Sequence, residues 1–133
     1  MEDCKSTSSP LDPGTKLKKL DESLKQEKKY PFRELIGSLM YLAVATRSDL
    51  VYAVNHLNQF NNSHGTEHWL AAKRIHRYLR GTSDLGLKYQ KTSKGLEGFV
   101  DADWGGCLDD RRSYTGFVFV LAGGAVSWQA KKQ

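Results

Sequence analysis

The spacing of hydrophobic residues changes once along this chain, and that change limits the folds open to it. From Pro31 to about Arg80, apolar residues recur at three- and four-residue steps; from Leu85 onward they recur at twos. The first spacing lines one face of a helix, and the second lines one face of a strand. Helices first and strands afterwards predict an α+β chain: about three helices, then an antiparallel sheet. At 133 residues there is room for one domain or two small pieces, with a modest core.

Pro31 suits a first helical turn, and Phe32, Leu35, Ile36, Leu39, Met40 and Ala43 make a core-facing stripe behind it. Ser48 and Asp49 are expected to open a second helix, carrying Leu50, Val51, Val54, Leu57 and Phe60 inward. After a loop over 61–65, Thr66 is expected to cap a third helix. It runs to about Arg80 and stops at Gly81, with Trp69, Ala72, Ile75 and Leu79 on one face. Residues 30–83 thus form the helical segment. Residues 1–29 read as a disordered or weakly helical tail, because Pro10, Pro13 and Gly14 break any periodicity and only a weak helix over 16–26 is suggested.

In residues 84–133, Leu85–Gln90 reads as a strand, 92–95 as its turn and Leu96 onward as its partner. Gly98, Phe99 and Val100 read as a short buried strand that delivers Asp101 to its end. Two further strands, Thr115–Leu121 and Ala125–Gln129, are joined through Gly123 and Gly124.

Two clusters carry chemistry. Asp101, Asp103, Asp109 and Asp110 fall within ten residues. Grouped carboxylates suit a hard cation such as Mg²⁺; a solvated turn, in which Asp bonds nearby backbone, is the alternative. On the third helix, Lys73, Arg74, Arg77 and Arg80 populate the face away from the core. That face is either simply solvated or a stripe that follows a phosphate backbone and releases counterions. Twenty Lys and Arg against fifteen Asp and Glu give a charge of +5, compatible with a polyanionic partner.

Other classes find little support. Cys4 and Cys107 are far apart, and His56, His64, His68 and His76 share no metal-binding spacing, so neither a disulfide framework nor a zinc site is expected. No apolar run approaches the ~20 residues a membrane helix needs. The acidic, non-hydrophobic start is not a secretory signal, so a cytoplasmic or nuclear protein is expected.

The run Gly98-Phe99-Val100-Asp101-Ala102-Asp103-Trp104, with Asp109 to Ser113, Thr115-Gly116-Phe117 and Ser127 to Gln133, resembles the start of the ribonuclease H domain of copia-type retrotransposon polyproteins. Residues 30–49 and His68 to Thr82 resemble the region after the reverse transcriptase palm in the same polyproteins, and Pro10 to Leu17 the segment before it. Ser48 replaces the family's usual proline. The resemblance implies that Asp101 is the first catalytic, metal-binding carboxylate of a two-metal centre that cleaves RNA in an RNA–DNA hybrid. Such chemistry needs several carboxylates holding Mg²⁺ ions ~4 Å apart. In the family the remaining acids come later than Gln133, and the polymerase aspartates earlier than Met1. The implied role is therefore a Pol polyprotein fragment, an incomplete ribonuclease H-like sheet behind a thumb- or connection-like helical part. It is expected to be inactive alone, to bind Mg²⁺ weakly through Asp101 and Asp103, and to contact an RNA–DNA hybrid or other nucleic acid. Its partner in the parent family is the rest of the polyprotein. An alternative comes from Arg77-Tyr78-Leu79-Arg80, which matches the Arg-x-Leu-Arg string of translocated effectors and would fit a protein secreted into a host cell, acting through protein contacts.

Overall fold

Phe32, Ile36, Leu39 and Ala43 lie on successive turns of α1 (Phe32–Ala45), and all four are buried. The computed structural model describes residues 3–21, 23, 30–103 and 105–133. A 3-10 turn, Ser48–Leu50, leads from α1 into α2 (Val51–Asn58), and α3 (Thr66–Gly81) follows. Leu50, Val54, Leu57 and Phe60 meet the α1 stripe, and Ala72 and Ile75 close the cluster from α3. Each fully buried Leu, Ile or Phe contributes roughly 1.5–3 kcal/mol, so this cluster holds most of the stability.

The cap of α3 is Gly65, not Thr66. The His68 ring supplies the capping contact from inside the first turn, its Nδ1 accepting the Gly65 N–H at 3.0 Å. A side chain on Gly65 would press on Leu20.

Residues 3–21 contain neither helix nor strand, yet they lie against the helices. Leu17 enters the core. Lys18 O accepts a bond from His68 Nε2 at 2.8 Å, and Leu20 O accepts one from the Ser63 hydroxyl at 2.7 Å. The expected helix over 16–26 is absent from 16–21, and its remainder lies largely outside the described residues, as does Trp104.

The sheet is an antiparallel meander ordered β1 (Glu97–Ala102), β2 (Tyr114–Leu121), β3 (Gly124–Lys132). Ala122 and Gly123 both have positive φ, 54° and 78°, between the paired Leu121 and Gly124. That is the two-residue turn whose twist suits a hairpin. Gly124 therefore belongs to the strand, and it is small for another reason: a Cβ there would stand 2.6 Å from Tyr89 Cε1.

Two strand expectations are corrected. Residues 85–90 form no strand, because β1 takes β2 as its partner along Glu97↔Val120 to Ala102↔Thr115. The 85–90 stretch instead reaches the β2–β3 turn, where Gln90 N–H donates to Ala122 O and the Tyr89 hydroxyl to Ala125 O. β1 is also exposed along its whole length, with Val100 at 76%, since it is an edge strand and no element of the described residues packs over it.

One sheet face leans on the helices. Tyr114 is buried against Tyr52 and His56 of α2, ring centroids 5.4 and 5.7 Å away. Asn55 Nδ2 donates to Ala130 O. Trp128 Nε1 donates to Ala43 O at 2.7 Å, meeting a carbonyl in the last turn of α1; such end carbonyls have no partner within their own helix. On the opposite face, Phe117 and Phe119 pair with each other, and the Phe119 ring lies over Gly98.

Leu57→Ala should destabilise the chain by about 2–5 kcal/mol through loss of contacts and a residual cavity. Val100→Thr on exposed β1 should change stability by less than about 0.5 kcal/mol. Urea denaturation followed by circular dichroism measures both; equal losses would place the core elsewhere.

Candidate nucleic-acid interface

The solvent side of α3 presents its arginines in a row, three residues apart. Arg74 donates through Nε to Ser9 O at 3.2 Å and through Nη2 to Ser9 Oγ at 3.1 Å. Arg77 Nε donates to Lys5 O at 2.7 Å, and Arg80 Nη1 to Cys4 O at 2.9 Å. Lys73 stands half-buried on the same helix. All four residues named from sequence therefore share α3, and three of them rest on the main chain of residues 4–9. These contacts were invisible in the sequence, because a segment without an acid gives no sign of pairing with arginines.

The acidic residues separate into two groups. Asp101, at the end of β1, and Asp103 line one open cleft of about 610 Å³ between the sheet and α2, with Asp49, Tyr52, Phe99 and Trp128. Asp109 and Asp110 do not line it. Asp103 is occupied in closing its own loop: it accepts the Tyr114 N–H, and its carboxylate fills the space where Gly106 lacks a Cβ. Asp101 accepts the N–H of neighbouring Ala102 at 2.9 Å. Asp109 accepts the Lys19 N–H, and Asp110 bonds Lys132 at 2.8 Å. Lys132 holds the exposed Asp110 carboxyl well below the usual carboxylate range. Among the described residues no three His, Cys, Asp or Glu converge as a metal site. The donor set on hand, one carboxylate that accepts a neighbouring amide and one that closes its own loop, does not fit a two-metal centre.

Two further clusters were not singled out from sequence. Arg47 is buried and donates to both carboxylate oxygens of Asp49, at 3.0 and 2.8 Å. It also reaches Thr82 O and Thr82 Oγ1 beyond α3, while the Tyr78 hydroxyl donates to Asp49. Burial works against ionisation of Asp49, yet the bonds from Arg47 and Tyr78 outweigh it and lower its pKa. At the other end of α2, Lys132 Nζ donates to Gln59 Oε1 at 3.1 Å and lies 3.0 Å from Cys107 Sγ. The only sequence signal for the first cluster is Arg47 two residues before Asp49 at a helix start.

Burial lowers the pKa of His56, with the Lys132 charge adding to the effect, and burial likewise lowers that of His68. Geometry agrees for His68: its Nδ1 accepts Gly65 N–H and its Nε2 donates to Lys18 O, so a second proton has no place. Burial pushes the Tyr114 phenol up to about 12, and its hydroxyl has no hydrogen-bond partner among the described residues.

No protein-family model matches the chain, and no solved structure does. Curated relatives do. The Pol polyprotein of the tobacco transposon TNT 1-94 (Nicotiana tabacum) is 43% identical over the whole chain, which spans 10% of that polyprotein. The Pol polyprotein of transposon RE2 from Arabidopsis thaliana is 45% identical over 77% of the chain, or 7% of its own length. Secreted RxLR effector protein 161 of Plasmopara viticola is 45% identical over 80% of the chain and 75% of the relative. The fold defines an α+β segment, and that segment is similar to a stretch of the retrovirus-related Pol polyproteins of copia-type retrotransposons. It spans about a tenth or less of the Pol polyproteins it matches.

Acid should destabilise the helical unit. The folded pKa of His68 and of His56 lies below the ordinary 6.5, so their stabilising contribution is complete above that pH and is lost as pH falls through the folded values. The thermal midpoint should therefore be level from pH 8 to about 7 and decline below about 6.5. His68→Gln should flatten the decline, and an unchanged decline in that variant would remove His68 as a source.

Proposed function

We propose that this chain is the part of a retrotransposon Pol polyprotein that follows the reverse transcriptase palm, joined to the first strands of a ribonuclease H-like domain. It works as a nucleic-acid-binding segment rather than as a nuclease. The row Arg74, Arg77 and Arg80 on α3 carries this reading. The guanidiniums of Arg74 and Arg77 rest on neutral oxygens and keep their full charge, and a phosphate is the stronger acceptor. The likeness to Pol polyproteins supports an RNA–DNA hybrid as the ligand, and the remainder of the polyprotein as the partner. Among the described residues no helix is long and apolar enough to cross a membrane, and a cytoplasmic or nuclear setting suits this ligand.

Catalysis is not expected from these residues alone. Asp101 has the position that the family's first metal-binding carboxylate would take, at the end of β1. Asp103 is the nearest helper, but its carboxylate closes the loop onto Tyr114. Mg²⁺ binding should accordingly be weak.

A second reading draws on the Plasmopara relative, whose name describes a secreted effector. In this chain Arg77-Tyr78-Leu79-Arg80 lies in the last turns of α3. Tyr78 bonds Asp49, and Leu79 packs partly against the core. A receptor reading the string as an extended peptide would have to unwind that turn. Recovery of the protein outside the cell, processed from a longer precursor, would favour the effector.

For the main reading, affinity for an RNA–DNA hybrid should fall steeply with salt, with a log–log slope reduced by roughly one for each of Arg74→Ala and Arg77→Ala. Fluorescence anisotropy between low and physiological salt measures this; salt-independent binding, or no binding at low salt, contradicts it. The same chain with Mg²⁺ should not cleave the hybrid's RNA above background, and Asp101→Asn should leave that background unchanged. Cleavage abolished by Asp101→Asn would refute the inactive assignment.

A further inference from the structure

We infer that residues 4–9 form a strap that covers the arginine row of α3 and is displaced when a polyanion binds there; this rests on the nucleic-acid reading above and concerns its regulation. The strap runs along the helix in a fixed order. Cys4 O meets Arg80, Lys5 O meets Arg77, and Ser9 meets Arg74 through both its carbonyl and its hydroxyl. Between these points Ser6 sits so close to the end of α3 that a Cβ on Gly81 would stand 2.8 Å from Ser6 Cβ. The strap also braces itself, with Thr7 Oγ1 donating to Ser9 O and Ser9 Oγ to Leu11 O.

The chemistry of the strap makes it a cover that can be removed. Residues 4–9 read Cys-Lys-Ser-Thr-Ser-Ser and contain no acid. At Arg74 and Arg77 the strap therefore satisfies guanidinium donors without neutralising their charge. A phosphate satisfies the same donors and neutralises the charge as well, so it wins where salt does not screen it. Because the strap is tethered to the same chain, it competes at high effective concentration and sets a threshold that a ligand must pass. A single mononucleotide offers too few phosphates to displace three contacts together; an extended hybrid backbone offers one phosphate after another.

Gly81→Ala tests this in the full chain, because the added methyl group collides with Ser6 while every arginine is left in place. Gly81 ends a helix, so alanine also favours the helical state, and circular dichroism checks that the fold is kept. The variant should bind an RNA–DNA hybrid roughly three- to tenfold more tightly than the parent at low salt. A second readout follows the strap directly: the rate at which Cys4 reacts with an aromatic disulfide reagent, with buried Cys107 as the slow internal reference. Gly81→Ala should speed the Cys4 reaction, and adding hybrid to the parent chain should speed it as well. Ser9→Asp, which sets a carboxylate opposite Arg74, should slow it and weaken binding. If parent and Gly81→Ala bind the hybrid equally and hybrid leaves the Cys4 rate unchanged, the strap inference fails while nucleic-acid binding stands. If neither chain binds the hybrid at low salt, both fail together.

Discussion

The chain turns from α1 into α2 within residues 46–50, and three parts of the structure meet at that corner. Arg47 is buried there, and a buried guanidinium is tolerated only when its charge and its donors are matched. Asp49 takes the charge through a two-point bond, and Thr82, just past α3, takes two more of the donors. A few residues back, the carbonyl of Ala43 receives the indole N–H of Trp128 from β3. One corner thus fixes the end of α3 and anchors the sheet. Replacing Arg47 by Lys would keep the charge but lose the planar fork that reaches both partners.

This dependence explains the unequal character of the two segments. The helices share a dry cluster of Phe, Leu, Ile and Val side chains. The sheet has few buried residues, chiefly Tyr114 and Ala130 with Cys107 in the adjoining loop, and its burial comes from α2 rather than from a core of its own. Three strands with one face partly covered are near the lower limit for stability. The rigid part of the molecule is therefore the part that carries the arginine row, while the acidic loop hangs from the weaker part.

The helical stripes were legible because each apolar residue repeats at the helical period, and Phe32, Ile36, Leu39, Val54, Leu57 and Ile75 are all buried where the pattern put them. The β2–β3 hairpin was legible from its alternation and glycines. The 85–90 strand was not, because alternation in Leu85, Leu87 and Tyr89 says nothing about whether a partner edge lies within reach. Gly65 displaced Thr66 as the cap because a histidine three residues on supplied the capping group, a contact that standard cap residues do not signal. Leu17 was hidden by its setting among lysines and prolines. For the site, charge placed Lys73, Arg74, Arg77 and Arg80 on one helix, and the strand pattern put Asp101 at a strand end. What charge could not reveal was that uncharged carbonyls from residues 4–9 already occupy the arginines, or that Asp103 closes a loop.

Photocrosslinking tests the account most directly. The full chain, held at low salt with an RNA–DNA hybrid carrying a photoreactive uracil, is irradiated and digested, and crosslinked peptides are located by mass spectrometry. The account predicts crosslinks within Trp69–Arg80 of α3. Crosslinks confined to residues 97–112, β1 and the acidic loop, would contradict it.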